Sequence, residues 1–224
     1  MTLTQRIDAM IHHQLARWEE ASRRLRERRP SIAIASLPGA GGEELGRLVA
    51  EELGLACFGR EIVDQIAARR GIPEEVMRTL DERVRSAIDR YFTDSFQEER
   101  FTEDEFMKEV ERFVIPIARR GGAVFVGRGT AFLLARAPSL RVLATAPRAY
   151  RLERFAAARG LSGAAAEEAL RVEDEARSGF IRHHFHERID DPALYDLTVN
   201  VAALGLPIAA ACVVDVYRRR FPSR

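Results

Sequence analysis

The residues best placed to do chemistry lie in Ser36-Leu37-Pro38-Gly39-Ala40-Gly41-Gly42-Glu43-Glu44. An apolar run, Ile32 to Ala35, precedes them, and Leu45, Leu48, Val49 and Leu53 follow at helical spacing up to Gly54. Strand, glycine loop and helix start together make an anion cradle, because glycines let the backbone approach and the first helical turn offers N–H groups and a positive dipole end. A tight strand-to-helix turn with acidic dipole partners is the plainer reading of the same stretch. Arginine supplies nearly all the positive charge, since Lys108 is the only lysine in the chain. Any phosphate contact therefore falls to guanidinium and backbone groups. Five sets of arginines stand out: Arg60 after Ala56-Cys57-Phe58; Arg128 between Gly127 and Gly129; Arg148, Arg151 and Arg154 behind Pro147; Arg177 and Arg182; and Arg218 to Arg220. A helical arginine face on its own reads more readily as solvated surface, and the terminal three suit a helix C-terminus. His183, His184 and His186 invite a metal, but no cysteine lies near, no carboxylate partner is specified and the H-E-x-x-H spacing is missing, so no metal site is expected on them.

The glycine loop approaches G-x-x-x-x-G-K-[ST] without completing it. Aligned on Gly39-Ala40-Gly41, Ser36 takes the first glycine's place, Gly42 the lysine's and Glu43 the hydroxyl residue's. The elements around it alternate. Strands are expected at 32–35, 56–58, 123–126, 140–145 and 197–200, and helices run between them. Helices are predicted from Gly59 to Gly71, from Pro73 to about Tyr91 and from Glu103 to Arg120, the last with Phe106, Val110, Phe113, Val114 and Ile117 inward, and 92–102 reads as a loop. Further helices follow Pro147, ending at Gly160, and Ser162, running to Phe185, and a last one starts near Pro207. Strands separated by helices describe a parallel α/β sheet with right-handed crossovers, and about 60–120 forms a helical insertion at one end. Residues 4–28 form an amphipathic helix through Ile7, Met10, Ile11, Leu15, Trp18 and Leu25, and a linker leads to Pro30. That helix is expected to pack on its own domain, a homodimer contact being the alternative.

At 224 residues the chain suits one α/β domain, and residues 1–30 stand apart from the domain at 31–224. A net charge of +1 gives no bulk drive toward nucleic acid or an acidic membrane. Cys57 and Cys212 sit far apart in apolar contexts and read as buried free thiols of a reducing, cytoplasmic compartment. No run reads as long enough to span a bilayer, and the N-terminus lacks a signal-peptide pattern.

Several motifs taken together resemble the nucleoside monophosphate kinases, specifically the cytidylate kinase-like family. They are Pro38-Gly39-Ala40-Gly41-Gly42-Glu43-Glu44, Arg60-Glu61-Ile62, Val126-Gly127-Arg128-Gly129, Ala146-Pro147, and Asp191-Pro192 with Tyr195-Asp196-Leu197 and Asn200. The resemblance spans about 31–220 and implies a P-loop, three-layer fold with strand order 2-3-1-4-5, an acceptor-binding helical insertion and an arginine-bearing lid near 148–190. It implies transfer of the ATP γ-phosphoryl to CMP, dCMP or a related small phosphate acceptor, with Mg²⁺. By carry-over, Pro38 to Glu44 hold the nucleotide. Arg128 matches the arginine of the Gly-Arg-Asp motif that meets the acceptor phosphate. Arg60, Arg151 and Arg154 join the substrate-binding set, and Arg177 and Arg182 act as lid residues on the transferring phosphate. The departures weaken catalysis: glycine replaces the lysine, Glu43 the Mg²⁺-holding hydroxyl, Gly129 the aspartate after Arg128, and Gly59 the aspartate before Arg60. A non-catalytic nucleotide-binding or regulatory protein on the same fold is the alternative.

Overall fold

The computed structural model describes residues 29–60 and 103–222, together with Ala9, His13, Gln14, Ala16 and Arg17. The helices expected within 61–91, the loop at 92–102 and most of the N-terminal helix lie outside the described residues.

Alternation builds the centre of the sheet. In β1 (Ser31–Ser36), Ile32 and Ile34 face one side and Ala33 and Ala35 the other, and all four are buried. β1 runs parallel to β3 (Ala123–Val126) and β4 (Ser139–Thr145), β2 (Ala56–Phe58) lies outside β3, and β5 (Leu197–Asn200) lies outside β4. The order is therefore 2-3-1-4-5, as the family resemblance implies. Register sets Ile34 opposite Val126 and Val142, so the glycine loop and the turn after β3 leave the sheet at the same end.

Helices cover both faces. α1 (Gly42–Leu53) packs with the isoleucines, Val124, Val126 and the last helix. Gly54 stops it in the left-handed conformation, its N–H donating to the Glu51 carbonyl while Leu55 N–H reaches Ala50. On the opposite face the small Ala33 and Ala35 leave room for Phe58, Phe125 and Phe106, with Phe58 and Phe125 stacked at 5.5 Å. α2 (Glu103–Arg120) brings Phe106, Val110, Val114 and Ile117 to that layer, on the face its periodicity predicts.

After β3 come α3 (Thr130–Leu133) and a 3-10 turn, then β4, α4 (Arg148–Arg159) and α5 (Gly163–Phe185). Only Gly160 to Ser162 separate α4 from α5, so the region expected as a lid consists of two long helices. Asp191 caps the 3-10 turn before β5 by accepting from Ala193 N–H at 2.9 Å.

α6 (Val201–Arg220) begins under an Asn200 cap, breaks at Gly205 (φ 72°, ψ 155°) and resumes near Pro207, where the last helix is expected. By length and composition α6 could cross a membrane, at a mean hydropathy of 1.6, which corrects the reading that no run is long enough. Its apolar content has a local use, because Val201, Ala209, Ala210, Val213, Val214 and Tyr217 pack under the sheet. At the outer edge, β2 receives a contact from the N-terminal segment: Cys57 N–H donates to Gln14 Oε1 at 2.9 Å.

Candidate functional site

A cleft, partly open to solvent, lies at the carboxyl end of β1 and β3. Open α/β sheets place ligands at this end. Ser36, Glu43, Arg60, Gly127 to Thr130, Arg177 and Phe180 line it. Arg60, Arg128 and Arg177 are far apart in sequence, and the fold brings all three to one space.

The loop after β1 turns through Gly39 (φ 77°) and Gly41 (φ 81°), and no side chain caps the α1 N-terminus behind it. Helix starts carry N–H groups without intrahelical partners, so this end is suited to an anion. Gly42 faces Ser36 so closely that a Cβ on it would lie 2.4 Å from both Cβ and Oγ of the serine. Serine at the first position of the motif and glycine at its lysine position therefore form one packing unit. Glu43 turns toward β2 and accepts the Arg60 backbone N–H at 2.9 Å. A Cβ on Gly59 would come within 2.5 Å of the same carboxylate, so an aspartate at 59 would meet Glu43 head-on.

Arg128 is held in an unusual way. It is buried, and Gly127, Arg128 and Gly129 take φ of 78°, 50° and 70° in succession. An L-residue with a side chain pays about 1–2 kcal/mol for that region, and such strain collects where function needs a side chain aimed. Thr130 Oγ1 donates to the Gly127 carbonyl at 2.8 Å, which fixes the turn. The guanidinium sits 5.5 Å from the centre of the Phe106 ring. A Cβ at 129 would fall 2.3 Å from the Phe185 ring, which accounts for glycine where Gly-Arg-Asp has its acid.

Arg177 reaches the phosphate loop from α5, its Nη1 donating to the Ser36 carbonyl at 2.6 Å. Behind the cleft lies Glu173, a carboxylate 1% exposed. Its Oε1 is 3.5 Å from Arg60 Nη1 and from Arg177 Nη2, and its Oε2 accepts from Arg159 Nη2 at 3.0 Å. One buried acid thus orients two of the three cleft arginines, through the charge-assisted contacts that burial strengthens. Glu173 was missed in the sequence because Glu-Asp-Glu in a helix looks like a solvated face. Its one readable sign was the i,i+4 spacing to Arg177.

The remaining candidates lie outside the cleft lining. Arg151 is buried under the loop, donating through Nη1 to the Pro38 carbonyl at 3.1 Å and to Asp174 at 2.7 and 3.0 Å. It fastens the loop to α4 and α5. Arg154 pairs with Glu44 at 3.1 Å. Arg148 is exposed, so the three-residue spacing does not give one uniform face. Arg182 is exposed and outside the cleft lining, because five residues along a helix rotate it about 140° from Arg177. Lys108 is exposed on α2 and is not among the lining residues either.

Fold and cleft together define a P-loop kinase-like protein. Residues 31–203 match the cytidylate kinase-like family, to which the chain belongs. No curated protein matches it. Among solved structures, an uncharacterized protein from Eubacterium ventriosum is similar at a TM-score of 0.64 with 14% identity, over 84% of this chain and 98% of that one. A gluconokinase from Sinorhizobium meliloti (TM-score 0.52, 18% identity, 87% and 97% covered) shares the fold. So does a shikimate kinase from Bacteroides thetaiotaomicron (0.52, 14%, 85% and 97%).

Proposed function

We propose that the protein is a nucleotide-dependent phosphotransferase. It binds ATP at the glycine loop and passes the γ-phosphoryl to CMP, dCMP or a related small phosphate acceptor in the cleft. The observation that carries this reading is the convergence of Arg60, Arg128 and Arg177 on one lining beside the loop, with Glu43 the acid among them. Phosphoryl transfer asks mainly for positioning and for positive charge around spread negative charge. Guanidinium groups can grip phosphate oxygens bidentately, as an ammonium cannot. Arg177, already on the Ser36 carbonyl, takes over the neutralising role of the missing lysine.

Mg²⁺ fits this donor set through Glu43, a hard oxygen ligand at the cleft that would share the ion with the nucleotide phosphates. When bound, the ion supplies further charge neutralisation; the chain's own groups orient the two phosphates and cover them.

A non-catalytic nucleotide-binding role is the second reading. It is favoured by the Ser36–Gly42 contact, which leaves no room for a lysine side chain, and by the Glu43 contact to Arg60 N–H. The two readings separate in two measurements on one preparation: thermal stabilisation by ATP, CMP, dCMP, UMP and AMP with and without Mg²⁺, and acceptor-dependent ADP release. Stabilisation by ATP with ADP release above buffer supports the transferase. Stabilisation without any release, across the acceptor panel, rejects it in favour of the second reading.

A further inference from the structure

Outside the cleft lining, on the far side of Phe180, the fold brings together three metal-ligating groups that sequence spacing leaves apart. Asp104 lies in the first turn of α2, and His183 and His184 in the last turn of α5. One oxygen of Asp104 is 3.9 Å from His183 Nε2 and 3.8 Å from His184 Nδ1, and the three ligand atoms lie within 4.8 Å of one another. Adjacent helical residues point about 100° apart. The two imidazoles still converge, because His183 offers its far nitrogen and His184 its near one. The rings meet edge to face with centroids 4.7 Å apart, and Phe180 packs against the His184 ring at 4.7 Å.

We propose that Asp104, His183 and His184 bind a divalent transition-metal ion of the Zn²⁺ class, which clasps α2 to α5. The spacing carries the argument. Separations of 3.8 and 3.9 Å are too long for direct hydrogen bonds. They suit two atoms that share one ion at about 2.0–2.2 Å each. His183 is half exposed and Asp104 more so, hence both have room to close the remaining distance, while the mostly buried His184 sets the anchor. Two imidazoles and a carboxylate favour Zn²⁺, Co²⁺ or Ni²⁺ over Mg²⁺ or Ca²⁺, which take oxygen ligands. Three protein ligands leave a fourth position for water. The site is distinct from the Mg²⁺ expected with nucleotide. The carboxylate that the sequence left unspecified comes from 79 positions upstream of His183, across the helix crossing.

The test is Zn²⁺ titration of the metal-stripped full chain by calorimetry, with Co²⁺ as a spectroscopic probe. One equivalent should bind, with Co²⁺ absorption of a low-coordinate nitrogen–oxygen site. Zn²⁺ at a hundred times Kd should raise Tm by about 5–10 °C. His183→Ala and Asp104→Asn should each weaken binding by more than the roughly 10–100-fold lost with an outer-shell partner, whereas His13→Ala and His186→Ala should leave it unchanged. Absence of saturable binding at one equivalent overturns the proposal. So does binding that survives both His183→Ala and Asp104→Asn, or that is lost with His13→Ala, which would place the ion elsewhere.

Discussion

Ser36 and Gly42 occupy one another's space: the serine side chain sits where the Cβ of a residue at 42 would have to go, 2.4 Å from its Cβ and Oγ. The loop therefore cannot recover the usual lysine by a single change. Gly42→Lys should lower stability by about 1–3 kcal/mol through overpacking, read as a fall in Tm. Adding Ser36→Gly should restore most of it, with a coupling above about 0.5 kcal/mol in the double-mutant cycle. ATP-dependent stabilisation should strengthen only in the double variant. Equal behaviour of single and double variants would show that the contact is not limiting.

Arg128 sits in a left-handed turn that glycine would occupy without cost. Arg128→Ala and Arg128→Gly remove the same guanidinium, but only glycine eases the backbone. The glycine variant should be the more stable by about 1 kcal/mol in urea unfolding. Both should lose the monophosphate-dependent thermal shift, and ATP binding should persist.

Glu173 holds Arg60, Arg159 and Arg177 from a buried position. Removing one partner from such a cluster strands the others, which costs about 3–5 kcal/mol. Glu173→Ala should therefore lower Tm by roughly 6–20 °C. Inorganic phosphate should stabilise the parent but not the variant, since Arg60 and Arg177 lose their orientation.

Burial pushes the Cys57 thiol up to about 12, assisted by the Glu43 carboxylate and opposed by Arg47 and Arg17. The folded chain keeps that proton where an unfolded thiol, near 8.5, gives it up. Cys57 should resist iodoacetamide at pH 9 under native conditions and react promptly in urea, as followed by mass spectrometry. Linkage has the same sign: the unfolded state sheds a proton that the native state holds, so this group lowers stability as pH rises from about 8.5 toward 12. A Cys57→Ala variant should lack that part of the alkaline decline.

Much of the architecture was legible because its signals are local and periodic. A short apolar run marked Ile32 to Ala35, and 3.6-residue spacing marked Phe106, Val110, Val114 and Ile117 on α2. Glycine punctuation marked Gly54 and Gly160 as helix ends. Arg60, Arg128 and Arg177, which the motifs singled out, line one cleft at the carboxyl end of the sheet. Burial of charge was not legible. Arg151 and Glu173 look like surface charges in sequence, and only the helix crossing shows one fastening the loop and the other orienting the cleft. The two-residue steric relations, Ser36 with Gly42 and Phe185 with Gly129, depend on atoms brought together by tertiary packing, which spacing does not encode.

Among the described residues β2 is the outermost strand on its side of the sheet, and Gln14 accepts the N–H of Cys57 from beyond it. An outer strand is a template on which another extended chain can add itself. Gln14 therefore guards one position of that rim. A protein shortened to begin at Arg29 would offer that rim to other copies of itself, and its failure would show first as self-association on storage rather than as loss of fold.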